Sequence, residues 1–169
     1  MPLPRRRYAT ALALAATLGT AIPNLSSPTY AEAPEGPPHG CTGTPSDTWI
    51  TVVADGLRNG NGLLAITLYA DNSKKFLVKH GSMYVGRVKA EAGTTRGCIF
   101  VPHPGVYAFA LYHDENANQI IDRSGLGLPE EGWGFSNNPS TLLGIPAFTT
   151  VRLNIPRPGL VTRIHMKYP

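Results

Sequence analysis

The sequence predicts an all-β fold, an antiparallel β-sandwich of about seven short strands. Three observations predict it. Eighteen glycines and sixteen prolines punctuate the chain, and turn clusters recur at short intervals. The runs between them are rich in Val, Ile, Tyr and Thr, and several alternate with period two. Downstream of the N-terminus there is no long run of Ala, Glu, Lys and Leu, no internal repeat and no heptad, which disfavours a helical bundle. At 169 residues the chain has room for one ordinary hydrophobic core, not two.

Taken in order, residues 1–31 read as a cleaved secretory signal peptide. Arg5, Arg6 and Arg7 form its positive region, Ala9 to Ile22 its apolar stretch, and Ala31 the expected cleavage site, because Pro34 disfavours cleavage after Ala33. The apolar stretch is shorter than the ~20 residues a spanning helix needs, so no membrane span is expected after cleavage. The product is expected to be exported, periplasmic or secreted. Residues 32–47, rich in Pro and Gly, read as an extended arm, and residues 48–169 as a single sandwich domain.

Trp49–Leu57 and Leu63–Ala70 read as the first two strands. Between them Asn59-Gly60-Asn61-Gly62 supplies the positive-φ residues of a hairpin turn. In Asp71–Gly81, Asp71 or Ser73 is placed to cap a single helical turn carrying Phe76 and Leu77. Met83–Ala90 is a weaker strand, and Cys98–Val101 runs as strand until Pro102. Gly105–His113 is the clearest strand; both of its faces are apolar, so a central position covered on both sides is expected. Leu142–Ile145, Thr149–Ile155 and Leu160–Lys167 complete the set, the last two joined by a turn at Pro156-Arg157-Pro158-Gly159.

Composition narrows the function. The full chain holds fifteen Lys and Arg against eleven Asp and Glu; loss of Arg5, Arg6 and Arg7 leaves twelve against eleven. The processed domain is nearly neutral, so nucleic-acid binding through bulk electrostatics loses its support. Cys41 and Cys98, in an exported chain, are expected to form a disulfide. No Cys-x-x-Cys redox pair is present. His39, His80, His103 and His165 are scattered without zinc-ligand spacing.

The chemistry-bearing residues concentrate in His113–Asn138. Asp114, Asn116, Asn118 and Asp122 take positions one, three, five and nine of a calcium-loop pattern, with Ile120 placed to offer its carbonyl at position seven. Two departures weaken the pattern: Gln119 replaces the sharp-turn glycine, and Gly125 stands where the bidentate Glu belongs, unless Glu130 or Glu131 folds back. Without an ion, the same Asp and Asn residues shape the loop through Asx-turns. His113 beside Asp114, with Glu130 and Glu131, suggests a metal or acid–base cluster. Neighbours on a strand point to opposite faces, however, and His113 shares its face with apolar residues, which favours a structural histidine. Gly134-Phe135-Ser136-Asn137 lacks the second glycine of a nucleophile elbow. In Gly132-Trp133-Gly134-Phe135 the rings are expected to pack under the loop, with Ser136, Asn137 and Asn138 bonding to backbone; recognition by Trp133 and Phe135 is the alternative.

The strings YHDENANQIID and GLPEEGWGFSNN closely resemble the hallmark of a bacterial family of exported proteins, the domain-of-unknown-function family 2141. The likeness extends to GLRNGNG near the start of the domain. Ala117 and Gln119 stand where the family usually has glycine. The resemblance implies an exported sandwich, immunoglobulin-like or prealbumin-like, and brings no activity with it.

The leading expectation is therefore a non-enzymatic module that binds an envelope or extracellular ligand or partner through the 113–138 loops, with calcium as the one candidate ion. Its candidate contacts are His113, Glu130, Glu131, Trp133, Phe135, Asn137 and Asn138. The alternatives are a metal-dependent periplasmic hydrolase using His113, Asp114, Glu130 and Glu131, and an accessory domain of an envelope assembly.

Overall fold

Alternation sets the architecture. A computed structural model describes residues 36–142 and 144–169; the expected signal peptide lies outside these residues. Strands β1 (Thr48–Leu57), β4 (Gly93–Val101) and β8 (Leu160–His165) form the first sheet in the order β4-β1-β8. β1 runs antiparallel to β4 and parallel to β8. Strands β2 (Leu63–Ala70), β3 (Tyr84–Lys89), β5 (Gly105–Asp114) and β6 (Gly132–Phe135) form the second sheet in the order β3-β2-β5-β6. β7 (Arg152–Ile155) pairs with Gly105–Ala108 of β5, while β6 pairs with Ala110–His113.

Every second residue of these strands points between the sheets. Ile50, Val52 and Ile99 from the first sheet meet Leu64, Ile66, Leu68, Phe109 and Leu111 from the second, all buried. Each such side chain contributes about 1.5–3 kcal/mol by leaving water. The all-β sandwich is therefore as expected, with eight strands rather than about seven. The other face of the second sheet carries its own buried cluster of Tyr69, Phe76, Ala108, Ala110, Phe135 and Val151. β5 is thus covered on both sides, which its two apolar faces require.

Several local expectations are corrected. β1 and β2 are not a hairpin: they lie in different sheets, and the 58–62 connection carries the chain across the sandwich. The reason lies in the faces. Both strands bury apolar side chains, and facing sheets satisfy both where a two-stranded ribbon does not. Within the connection only Gly62 has positive φ (63°); a Cβ there would lie 1.9 Å from the Asp114 carbonyl oxygen. Leu142 and Ile145 form an isolated bridge rather than a strand. The segment expected as a strand from Thr149 begins as a helical turn, α1 (Phe148–Val151). In 71–81, Asn72 rather than Asp71 or Ser73 supports the turn, accepting the Lys74 N–H at 3.0 Å. Asp71 pairs instead with Arg152, at 2.6 and 2.7 Å.

Both edges of the first sheet are covered. Outside β4 the arm pairs through Thr42, whose N–H donates to the Cys98 carbonyl at 2.9 Å and whose carbonyl accepts the Phe100 N–H at 3.0 Å. Cys41 and Cys98 stand at disulfide-bonding distance with 57 residues of separation, a closure worth about 4 kcal/mol in the chain-entropy model. On β8, Asn138 accepts the His165 N–H at 2.7 Å and donates to the Arg163 carbonyl at 3.1 Å. Residues two apart present their backbone groups to the same edge, so this carboxamide fills the place a further strand would take.

Candidate functional site

The end of β5 divides its last two side chains between opposite faces. His113 turns inward and is fully buried. Its Nε2 lies 2.8 Å from the Asn61 carbonyl oxygen and its Nδ1 2.7 Å from the Tyr168 hydroxyl. A carbonyl only accepts, so Nε2 donates to Asn61, while Nδ1 shares its hydrogen bond with the Tyr168 hydroxyl. The Tyr168 oxygen in turn accepts the Arg58 N–H at 3.2 Å. His113 thus ties the inter-sheet connection and the C-terminal segment to β5. Both ring nitrogens are engaged in that task.

Asp114 turns outward, beneath the loop that follows it. Its carboxylate accepts the N–H groups of Asn118 (3.0 Å) and Gln119 (2.8 Å). The Asn116 side chain accepts the Asn118 N–H, and the Asn118 side chain accepts the Ile120 N–H, both at 2.9 Å. These are the Asx-turns expected of the pattern. Asp122 closes the ring, accepting the side-chain amides of Asn116 at 2.7 Å and Asn118 at 3.0 Å. Ala117 and Gln119 have φ of 58° and 67°, left-handed conformations that explain why glycine suits both positions.

Of the two neighbouring glutamates, Glu131 folds back. It is 5% exposed, and its carboxylate spans the loop, accepting the N–H of Glu115 at 3.2 Å and of Asp122 at 3.1 Å. Burial pushes its carboxyl above the ordinary value, Asp122 and Asp114 add to the rise, and the two N–H groups draw it back. Glu130 stays exposed. Glu115, held below its ordinary pKa by the Arg58 guanidinium, pairs with it at 2.6 and 3.1 Å. A hydrolase needs His113, Asp114, Glu130 and Glu131 around one point. The sheet sends His113 to the interior, and Asp114 and Glu131 are committed to loop amides. Among the described residues no group of three or more His, Cys, Asp or Glu is arranged to hold a metal.

The GWGFSNN string is a strand followed by a clamp. In β6 the two glycines face inward, where Cβ atoms would lie 2.4 Å from the Tyr168 ring and 2.8 Å from Ile164. Trp133 and Phe135 face outward. Ser136, fully buried, accepts the Phe109 N–H at 3.0 Å and donates to the Val151 carbonyl. Asn137 donates to the carbonyls of Thr150 (3.1 Å) and Arg152 (2.8 Å). Ser136, Asn137 and Asn138 therefore bond to backbone, joining β5, β7 and β8.

The outward aromatics border a cavity of about 480 Å³ over the second sheet. Its floor is Thr67 and Tyr69 of β2, Ala110 and Tyr112 of β5, and Trp133 and Phe135 of β6. Loops supply the rim: Leu77, Val78 and Lys79 on one side, Ile121, Arg123 and Pro129 on another, with Gly144 and Ile145. The size and aromatic lining are those of small-molecule sites. The indole Nε1–H of Trp133 is buried without an acceptor among the described residues. The adjoining Cε2 lies 3.7 Å from the position of a Cβ on Gly144. Of the candidate contacts, Trp133 and Phe135 reach this cavity; His113, Glu131, Asn137 and Asn138 bond within the fold. Tyr69, Tyr112, Lys79 and Arg123 went unnoticed in the sequence because they come from four separate segments. Strand parity, which aligns Tyr69, Tyr112 and Trp133 on one face, was the available signal.

The family model described as "Uncharacterized protein conserved in bacteria (DUF2141)" matches residues 52–161, from within β1 to the start of β8. No curated protein and no solved structure matches the chain.

Proposed function

The chain belongs to the DUF2141 family of uncharacterised bacterial proteins, and from that premise we propose that it is an exported, non-enzymatic binding module. Its ligand is a small molecule with an apolar body, seated on Trp133 and Phe135 in the cavity over the second sheet. One observation carries the reading: an aromatic-floored cavity of about 480 Å³ whose rim is apolar and open to water at Leu77, Val78 and Ile145. Export is supported by the arginine-led apolar N-terminus and by a cysteine pair suited to an oxidising compartment.

The test is titration of the protein with N-phenyl-1-naphthylamine, a neutral apolar fluorophore. Saturation at one probe per chain is expected, with binding weakened by Thr67→Phe, which fills the floor, and by Ile145→Asp at the exposed rim. A linear, non-saturating response overturns the reading.

A second reading, that calcium orders the 114–122 loop, is favoured by the gathering of Asp114, Asn116 and Asp122 on Asn118. The donors are oxygens of the kind calcium takes, and an ion would displace the two side-chain amides from Asp122. With glycine at position 125 and Glu131 committed to backbone, affinity falls at the weak end, of order 10⁻⁴–10⁻³ M. Calcium at ten times such a constant adds about 1.4 kcal/mol of stability. A melting temperature that rises with calcium, but not in Asp122→Ala, supports this reading; an unchanged one at millimolar calcium ends it.

A further inference from the structure

We infer that the cavity over the second sheet takes an anionic amphiphile, an apolar chain or ring ending in a single acidic group. The inference rests on the binding reading above and adds the ligand's charge. Among the described residues the cavity is lined by two cationic residues, Lys79 and Arg123, and by no carboxylate. Both cations sit on loops at its rim, while the floor is aromatic and aliphatic. A ligand with its chain on the floor therefore places its head beside them.

Both cations are available. Lys79 is exposed and enters no ion pair among the described residues. Arg123 gives one N–H to the Gly127 carbonyl, at 2.8 Å, and its other four donors meet no acceptor among the described residues. The carboxylates around the cavity are engaged elsewhere: Asp71 with Arg152, Asp122 with Asn116 and Asn118, and Glu131 with two backbone N–H groups. Glu130 is the exposed exception, and it does not line the cavity.

The rim is also apolar where it meets water. Leu77, Val78 and Ile145 are 41%, 49% and 62% exposed. A chain lying between them covers surface that the fold leaves open. An anion in this partly dehydrated mouth meets the cations at a lower effective dielectric than in bulk water. The guanidinium additionally offers a planar fork to a carboxylate or phosphate. A neutral ligand of equal length gains the apolar contacts alone, and a cationic one is repelled.

The experiment compares displacement of bound N-phenyl-1-naphthylamine by decanoate and by decan-1-ol, which share a chain and differ in charge. It is run well above the usual carboxylate pKa so that decanoate is ionised. Decanoate is expected to bind at least about tenfold more tightly. The exposed double change Lys79→Glu with Arg123→Glu should abolish that preference, read within the variant as the ratio of decanoate to decan-1-ol displacement so that any change in probe affinity cancels. Equal displacement by the alcohol, or a preference that survives the double change, overturns the inference and leaves the binding reading standing. Failure of the probe itself to bind sinks the binding reading first. Phosphatidylglycerol vesicles separate the sources: co-sedimentation lost in the double variant assigns a lipid headgroup, and displacement by monomeric decanoate without co-sedimentation assigns a free acid.

Discussion

Glu131→Gln probes how the loop that borders the cavity is held. The wild-type carboxylate is 5% exposed and accepts one backbone N–H on each oxygen, from Glu115 and from Asp122. Glutamine keeps one acceptor and turns an NH₂ group toward the other N–H. One bond to a charged group, worth about 1.5–3 kcal/mol, is lost. Removing a charge that burial and two nearby aspartates already disfavour returns part of that. The expected net loss is about 1–2 kcal/mol near neutral pH, or roughly 3–8 °C in melting temperature for a domain of this size. The pH dependence has a definite sign. The folded carboxyl titrates above its ordinary value, so between the ordinary and the raised value the folded state holds the extra proton. Wild-type stability from this site is therefore complete below the ordinary value and falls as pH rises through the folded pKa. Glutamine has no such proton. The gap between wild type and variant should narrow as pH rises from about 4 upward, measured by urea unfolding at each pH. A gap that widens over that window would place the folded carboxyl below its ordinary value and refute the dominance of burial.

Two further predictions concern the family signature. Asn138→Ala removes the carboxamide from the β8 edge; a loss of about 1 kcal/mol is expected together with concentration-dependent association in light scattering, and a variant as monodisperse as wild type refutes the edge-covering role. Ala117→Gly and Gln119→Gly, at residues with φ of 58° and 67°, should each stabilise the protein by about 0.5–1 kcal/mol once the greater unfolded freedom of glycine is counted. A fall in melting temperature in both would show that the side chains compensate for the backbone strain.

The sandwich was legible because its signals are local. Period-two alternation located β2 to the residue, both apolar faces of β5 announced its central place, and the spacing from Asp114 to Asp122 announced a run of Asx-turns. Strand parity correctly separated His113 from Asp114. The backbone bonding of Ser136, Asn137 and Asn138 was also readable, since these side chains compete well for nearby backbone groups.

What the sequence by itself determined is which residues alternate, where the chain turns and which side chains share a face. What only the tertiary structure decided is which strand lies beside which. The Asn-Gly pairs of 59–62 suit a hairpin as well as a crossing between sheets, and the choice falls to the long-range pairing of β1 with β4 and β8. β6 is four residues long and half glycine, too weak a pattern alone; it becomes a strand because Ile164 and Tyr168 press on its glycine face and β5 supplies its partner. The cavity is the furthest case. Tyr69, Tyr112 and Trp133 are aligned by strand parity, but Lys79 and Arg123 reach them only through loops folded over the second sheet, a juxtaposition of distant segments that no local periodicity encodes.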